Sequence, residues 1–472
     1  MTPAEREDAL AELDARLRAD PLSVDLALDR ARVLAGLDRS AEARDVYLRI
    51  VARDPDHFRA LNDFGTFLMQ AGFRAAARTA YERALGVDPR SALAHANLAN
   101  VLFAETDYAG ACRHYEAALA IDPQLAEAHQ GLSYALTRLG REEDALQHRR
   151  HGFAGRALTA ATYRGAAPPV DVLLLVCAGG GTTYTETFLD DRIFRTTTLV
   201  ADLYRGKPLL PPVDVVFNAI SDADRAAPAL AAMEQLLATV PARVVNAPRR
   251  VLATAREANA ARLGRLEGVV APRTVSVPRA ELAARGAERF GFAFPLLVRA
   301  PGFHSGQYFA LVERAADLAA TIAPFPGDDV LLIEYVDLRG DDGCVRKYRM
   351  MAVDGALYPL HVAIAKQWKV HYFSAAMSED AAKRAEDARF LADPAAVLGP
   401  AALAALERVR AEIALDYAGI DFALDRAGRV VVFEANATMI VLPPGPDPIW
   451  EYRRAPTARI IDAVRAMLLA RQ

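Results

Sequence analysis

The sequence predicts two architectures in one chain: a stack of helical hairpins in its first third, then alternating α/β structure. Three observations predict it. Asp-Pro recurs at a constant step of 34 residues as far as Asp122-Pro123. Beyond about residue 169 the composition shifts from Ala, Leu and Arg to runs of aliphatic and β-branched residues. Near the C-terminus two apolar runs flank the turn sequence Arg426-Ala427-Gly428.

The repeat comes first. Asp-Pro stands at Asp20-Pro21, Asp54-Pro55, Asp88-Pro89 and Asp122-Pro123. Small residues keep the same step at Ala31, Gly65, Ala99 and Ser133, as do Ala43, Ala77, Ala111 and Ala145. Tyr47, Tyr81 and Tyr115 form a further series, with Arg149 in the last unit. Small side chains let the two helices of a hairpin approach, and the tyrosine fills the groove against the next hairpin. Proline then stops the second helix, because it has no N–H to donate to the preceding turn. Arg30, where later units carry Phe64, Leu98 and Leu132, suits a polar capping unit. The pattern resembles the tetratricopeptide repeat, which implies four hairpins and a leading helix over residues 1–153. Such arrays stack into solenoids whose concave face holds a peptide or protein. The alternative is a scaffold that props up the rest of the chain or pairs two copies as a homodimer.

Beyond an expected linker over 154–169, Val170–Cys177 reads as a continuous apolar strand that runs into Ala178-Gly179-Gly180-Gly181. That glycine run suits either a loop approaching a phosphate or a tight turn. Asp214–Ile220 and Arg243–Asn246 read as further strands. Phe294–Arg299 is a strand that ends in a cation and enters the small-residue loop Ala300–Gln307, an arrangement suited to phosphate binding. Leu331–Asp337 is an apolar strand ending in acids, whose edge could pair with adenine through backbone groups and Glu334.

The sharpest chemical signal is the hairpin from Gly419 to Ala437. Asp421 lies 13 residues before Glu434, so the two can sit opposite each other across the ladder. Glu434 and Asn436 are two apart and share a strand face. Three oxygen-bearing side chains on one face suit hard Mg²⁺ ions that also bind nucleotide phosphates. The plainer reading is a surface hairpin with its acids in water, which fits less well at the end of the apolar run Val430–Phe433.

These residues together resemble the ATP-grasp superfamily, with the D-alanine–D-alanine ligase and glutathione-synthetase-like branches nearest. The resemblance runs from about Val170 to Arg471. It implies a parallel α/β pre-ATP subdomain over 170–247, then two α+β subdomains that clasp the nucleotide, over 248–336 and 337–472. It implies Mg²⁺ at Asp421, Glu434 and Asn436, and ATP bound by Arg256, Arg299, Ser305, Gly306, Glu334, Tyr335 and Val336. Family members usually carry lysine where Arg256 and Arg299 stand, and an arginine presents a planar fork instead of a point charge. Arg349, ahead of the Asp354-Gly355 turn, matches the family's catalytic arginine; some D-alanine ligases place an arginine two residues before the position of Asp421, and this chain does not.

The implied chemistry is ligation: a carboxylate attacks the γ-phosphate of ATP and an amine or related nucleophile then displaces the acyl phosphate. The substrates would be a small-molecule or peptide carboxylate and its nucleophile. Residues 358–372 gather His361, Lys366, Trp368, Lys369 and His371, cations beside aromatics that suit a carboxylate substrate or phosphate oxygens. With Arg349, His361 and Lys366 are the candidate catalytic residues. The alternative for that segment is an amphipathic stretch with snorkelling lysines. Trp450–Arg454 is a second candidate substrate segment. Two other functions stay open: a phosphotransferase using the same nucleotide site, and a nonenzymatic adaptor whose repeats carry the function.

Composition bounds these readings. Apolar residues make up 53% of the 472, and the net charge of −4 comes from 56 basic and 60 acidic residues spread along the chain. That balance offers no footprint for nucleic acid or an anionic membrane. Cys112, Cys177 and Cys344 lie far apart and form no CxxC pair, which suits a reducing compartment. The first residues are acidic and amphipathic, unlike a secretory leader, and no apolar run approaches the roughly 20 residues that span a bilayer. The expected location is the cytoplasm.

Overall fold

The computed structural model describes residues 3–206, 209–303, 306–370, 372, 375–445 and 447–471. The chain divides into two compact units, one running to Ala157 with Thr162–Pro168, the other comprising Leu158–Ala161 and Pro169 onward.

In the first unit, α1 (Pro3–Ala19) precedes four hairpins: α2 (Val24–Gly36) with α3 (Ser40–Arg53), α4 (Phe58–Gln70) with α5 (Arg74–Val87), α6 (Ala92–Ala104) with α7 (Tyr108–Ile121), and α8 (Ala126–Arg138) with α9 (Glu142–Gly152). Asp54, Asp88 and Asp122 are the C-caps of the second helices, so each Asp-Pro marks a helix end. Ser23, His57 and Ser91 then cap the following helices through their side chains, each accepting a backbone N–H that the first turn leaves unpaired. The small series is fully buried except that Gly65 has no side chain to bury: Ala31, Ala99 and Ser133 are each 0% exposed. Tyr47 packs on Phe64 and Phe67 of the next hairpin, with ring centroids 5.4 and 5.6 Å apart. In the capping unit, Arg30 is held by Asp14 of α1 at 2.6 Å.

The second unit contains three sheets. The first, ordered β1-β3-β2-β4-β5, is built from β1 (Leu158–Ala160), β2 (Val170–Val176), β3 (Phe194–Val200), β4 (Val215–Asn218) and β5 (Arg243–Val245). Its inner pairs are parallel, but β1 runs antiparallel along β3, so the sheet is mixed where a parallel one was expected. β1 also lies inside the expected linker. β3 (FRTTTLV) was not anticipated, because its threonines mask it as a polar stretch although they share the β-branched shape that suits strands. The glycine run is a turn: Ala178 and Gly179 donate their N–H groups to Asp202 at 2.9 and 3.1 Å. Helix α10 (Ala223–Leu237) links β4 to β5, and α11 (Pro248–Leu252) and α12 (Arg256–Leu263) follow β5.

Of the next strands, β6 (Val269–Val270) joins the third sheet, while β7 (Thr274–Pro278), β8 (Leu296–Arg299), β9 (Phe309–Val312) and β10 (Asp329–Glu334) form an antiparallel sheet ordered β7-β10-β8-β9. With α13 (Arg279–Arg285) and α14 (Leu318–Ile322) it encloses its own core around Leu296, Val298, Val330 and Leu332. The third sheet, β12-β11-β13-β14-β6, combines β6 with β11 (Val345–Val353), β12 (Ala356–Ala365), β13 (Tyr417–Leu424) and β14 (Val430–Asn436). Asp354 and Gly355, both at positive φ, make the two-residue turn between β11 and β12. On one face of this sheet Tyr348 packs on Phe390 of α15 (Ala381–Ala392) and stacks on Phe422 of the neighbouring strand. Then come α16 (Pro394–Ile413) and α17 (Glu451–Leu469), the latter sharing a core with both the first and third sheets. No single helix among the described residues is long and apolar enough to cross a membrane; α15 and α16 pass on length and composition only as a pair bent by 60°.

The repeat packing makes a paired prediction. A Cβ built on Gly65 would lie 2.7 Å from the Tyr81 ring, whereas one on Gly86 meets nothing within 4 Å. Gly65→Val should therefore destabilise the array by about 1–3 kcal/mol through overpacking. Gly86→Ala should be neutral or stabilising by up to about 1 kcal/mol. Urea unfolding followed by helical circular dichroism distinguishes the two.

Candidate active site

The third sheet sets its charged groups in one row. Arg349 on β11 is paired in register with His361 on β12 and Asp421 on β13, and Asp421 with Glu434 on β14. Residues in register share a face, so four strands in succession present an imidazole, a guanidinium and two carboxylates on the same side. The β13–β14 turn fixes this alignment. Asp425 Oδ1 accepts the N–H groups of Ala427 and Arg429, both at 2.9 Å, and Gly428 takes the positive φ that closes the turn. Between Phe422 and Asp421 the register slips by one residue, leaving Phe433 as the extra residue of a bulge.

Asp421 is 1% exposed and surrounded by cations. Arg349 Nε and Nη2 donate to its two oxygens at 2.5 and 2.8 Å, and Lys347 Nζ reaches Oδ2 at 2.6 Å. Burial pushes the Asp421 carboxyl up, but Arg349 and Lys347 outweigh it and hold the group well below the usual carboxylate range. His361, buried on the far side of Arg349, is pushed well below its ordinary value by burial and by the charges of Arg349 and Arg453, so it is neutral.

Beside this row lies a cleft, open to solvent, walled by α12, the second sheet and the third sheet. Its charged end holds Arg256, Arg299, Lys347 and Lys369 together with Glu434 and Asn436; Leu263, Ile333, Val345, Val370 and Val432 line its apolar part. Arg256, the first residue of α12, donates Nη2 to Glu434 Oε1 at 2.7 Å and lies 3.5 Å from Asp224 through Nε. Asn259, one turn on, donates to the Ala435 carbonyl at 2.7 Å and so docks α12 on β14. Burial and the nearby Arg256 charge lower Arg299 to about 10, still charged at neutral pH. Its Nη2 donates to the Phe303 carbonyl, while its buried Nε has no hydrogen-bond partner among the described residues. Arg256 is already paired with Glu434 and Asp224, so the unused N–H of the half-buried Arg299 is what favours an anion here.

Of the residues singled out from sequence, Arg256, Arg299, Glu334, Tyr335, Val336, Glu434 and Asn436 all line this cleft. Gly306 lies beside it: its carbonyl accepts from Lys369 Nζ at 2.5 Å. Ser305, like His304 and His371, lies outside the described residues. Arg349, His361 and Asp421 do not line the cleft; His361 and Asp421 are buried and Arg349 is half-buried between them. Lys366 is exposed and lines neither; the irregular bend after β12 turns Lys369, three residues on, into the cleft instead. The expected set of three metal ligands is thus split. Asn436 Nδ2 donates to Glu434 Oε1 at 2.9 Å on the cleft wall, while both Asp421 oxygens are taken up by Lys347 and Arg349. Among the described residues no group of three or more His, Cys, Asp or Glu side chains is disposed to hold a metal ion. Two residues not selected from sequence also take part: Lys347, legible as two residues before Arg349 and hence on its strand face, and Asp224, which no sequence pattern linked to Arg256. The position two before Asp421 is Gly419, where a Cβ would meet Met439 at 2.1 Å, so no larger side chain fits there.

Asp421→Asn would leave Arg349 and Lys347 buried without their counter-charge, a change that costs about 3–5 kcal/mol. Because the folded-state pKa of Asp421 is depressed, its contribution is present above the unfolded value of about 3.9 and lost as pH falls toward the folded one. Chemical denaturation at a series of pH values should show the difference between wild type and Asp421→Asn constant near neutrality and narrowing below about pH 4.

The tetratricopeptide repeat family model matches residues 4–58 and 62–126. Among solved structures, the crystal structure of MamA is similar at 20% identity, covering 32% of this chain and 88% of that one, with a TM-score of 0.29. MamA 41-end from Desulfovibrio magneticus RS-1 is similar at 22% identity over 30% of this chain and 81% of that one, with a TM-score of 0.28. No curated protein matches the chain. The N-terminal region of the chain carries tetratricopeptide repeats, and a separate α/β region with mixed sheets holds the cleft.

Proposed function

We propose that the α/β region is an ATP-dependent ligase of the ATP-grasp type, joining a carboxylate to an amine or related nucleophile with release of ADP and phosphate. The observation that carries this reading is the composition of one cleft: buried arginines and lysines face Glu434 and Asn436 at one end, and an apolar slot leads to Glu334–Val336 at the other. A nucleoside triphosphate has the same polarity, a flat apolar base joined to a strongly anionic tail. The unused Nε–H of Arg299 beside the charge of Arg256 supports a phosphate at that end.

In this reading Arg256, Arg299, Lys347 and Lys369 offset the charge of the phosphates. Glu434 and Asn436 are the residues that would hold Mg²⁺, with Asn436 Oδ1 giving up the hydrogen bonds it accepts from Thr438, and the ion would neutralise charge on the transferred group. Asp421 keeps Lys347 and Arg349 fixed and charged, so the electrostatics of the cleft are set before substrate arrives. A substrate carboxylate oxygen attacks the γ-phosphorus and ADP leaves; the nucleophile then attacks the acyl carbon and phosphate leaves. Phosphoryl transfer of this kind asks mainly for positioning and charge neutralisation. The tetratricopeptide repeats are of a kind that binds peptides or proteins, and a peptide substrate delivered by the array joins the two parts into one activity.

Thermal unfolding with Mg-ATP tests the nucleotide site. A ligand specific for the folded state adds about 2.7 kcal/mol at a hundredfold excess over Kd. Wild type should gain this stability only when metal is present, and Glu434→Gln and Arg299→Ala should lose most of it. A wild type that Mg-ATP leaves unmoved would refute the nucleotide site and leave the adaptor role of the repeats. Products separate the chemistries: free phosphate with ADP marks a ligase, whereas a stable phosphorylated substrate marks a phosphotransferase.

A further inference from the structure

We propose that the last two hairpins of the array each carry a two-imidazole clip for a divalent transition-metal ion, Cu²⁺ above all, formed by His95 with His114 and by His129 with His148. The two pairs repeat at the 34-residue step of the array, His95 to His129 and His114 to His148. The earlier hairpins carry Leu61 with Ala80 and Ala27 with Val46 at these positions, so the pairs are an addition to the repeat and not part of its packing pattern.

The geometry of each pair is the same. His95 and His114 face each other through Nδ1 at 3.0 Å, and His129 and His148 through Nδ1 at 2.8 Å. His95 Nε2 lies 3.1 Å from the Pro89 carbonyl and His129 Nε2 lies 3.1 Å from the Pro123 carbonyl. A carbonyl can only accept, so Nε2 carries the proton in both residues and Nδ1 presents a lone pair toward its partner. A ring held by an N–H to a backbone carbonyl, with its other nitrogen bare, is the usual arrangement of a metal-binding histidine.

Without metal, the partner ring donates Nδ1–H across the gap. Moving that proton to Nε2 turns the pair into two lone pairs 2.8 to 3.0 Å apart. Two nitrogens at about 2.0–2.1 Å from one ion lie about 2.9 Å apart when the angle at the metal is 90°, and about 3.3 Å apart at a tetrahedral angle. A small turn of the two rings lets both lone pairs converge on one ion, and the affinity order of imidazole sites for divalent ions favours Cu²⁺. No third His, Cys, Asp or Glu completes either site among the described residues, so water fills the remaining positions. His151 stacks on the face of His129 at 5.0 Å with planes 21° apart, and its Nδ1 is used on the Gln147 carbonyl at 2.9 Å, so it does not converge on the pair.

The test is calorimetric titration of the full chain with Cu²⁺ in a non-coordinating buffer near pH 7.5, with electron paramagnetic resonance of the bound ion. Wild type should bind two equivalents, His114→Gln and His148→Gln one each, and the double variant none, with helical circular dichroism unchanged. The resonance spectrum of wild type, which depends on no variant folding, should show coupling to two nitrogens per ion. Failure of wild type to bind Cu²⁺, full binding by the double variant, or coupling to a different number of nitrogens would each overturn the proposal.

Discussion

A carboxylate taken out of water must find charge and hydrogen bonds inside the protein or it will not stay ionised, and Asp421 is the place where this chain meets that demand. Its two oxygens are met by a bidentate arginine and a lysine from the neighbouring strand. Buried pairs of this kind add little net stability compared with apolar packing, but removing one partner is expensive. The pairing fixes the register of β11 against β13, aims Lys347 into the cleft and gives Arg349 a single orientation. On the next strand, burial first and then the charges of Arg349 and Arg453 hold His361 well below its ordinary value.

Glu434 and Asn436 reach the cleft because β14 is interrupted. The one-residue bulge at Phe433 changes which side of the strand faces the slot, so Val432, Phe433 and Glu434 all border it. Arg256 then bridges Glu434 and Asp224, and Asn259 ties the same helix to the Ala435 carbonyl. The helix that starts with the cation and the strand that ends with the acids are therefore one mechanical piece. The segment after β8 is tethered separately, by Lys369 at Gly306 and by Arg225 between the carbonyls of Gly179 and Gly302.

Periodicity made the array legible from sequence, because every hairpin repeats the same packing problem and solves it with the same residue types. The opposition of Asp421 and Glu434 was legible for a similar reason: a short turn and a strand alternation leave few registers open. The bulge at Phe433 was not, since an extra residue in a strand has no signature in residue type. Asp421 was read as a metal ligand because it, Glu434 and Asn436 bring three oxygen-bearing side chains to one face; that Lys347 and Arg349 engage both its oxygens depends on side-chain positions that spacing does not give. Lys366 was chosen over Lys369, and the structure turns Lys369 into the cleft instead, because an irregular bend has no period from which to infer direction. The threonine-rich strand Phe194–Val200 and the edge strand in the expected linker were missed because their residues are only partly buried and carry no clear apolar alternation. The histidine pairs were present in the 34-residue step throughout, yet only their facing nitrogens give them meaning.

The central claim is that the cleft accepts a nucleotide with its base toward Glu334–Val336 and its phosphates toward Arg256 and Arg299. The most direct measurement is photolabelling of the full chain with 8-azido-ATP and Mg²⁺, followed by mass-spectrometric mapping of the labelled peptides. The account predicts label on peptides containing Glu334–Val336 or Val432–Phe433, displaced by excess ATP. Label confined to the repeat array, or labelling that ATP does not displace, would contradict it.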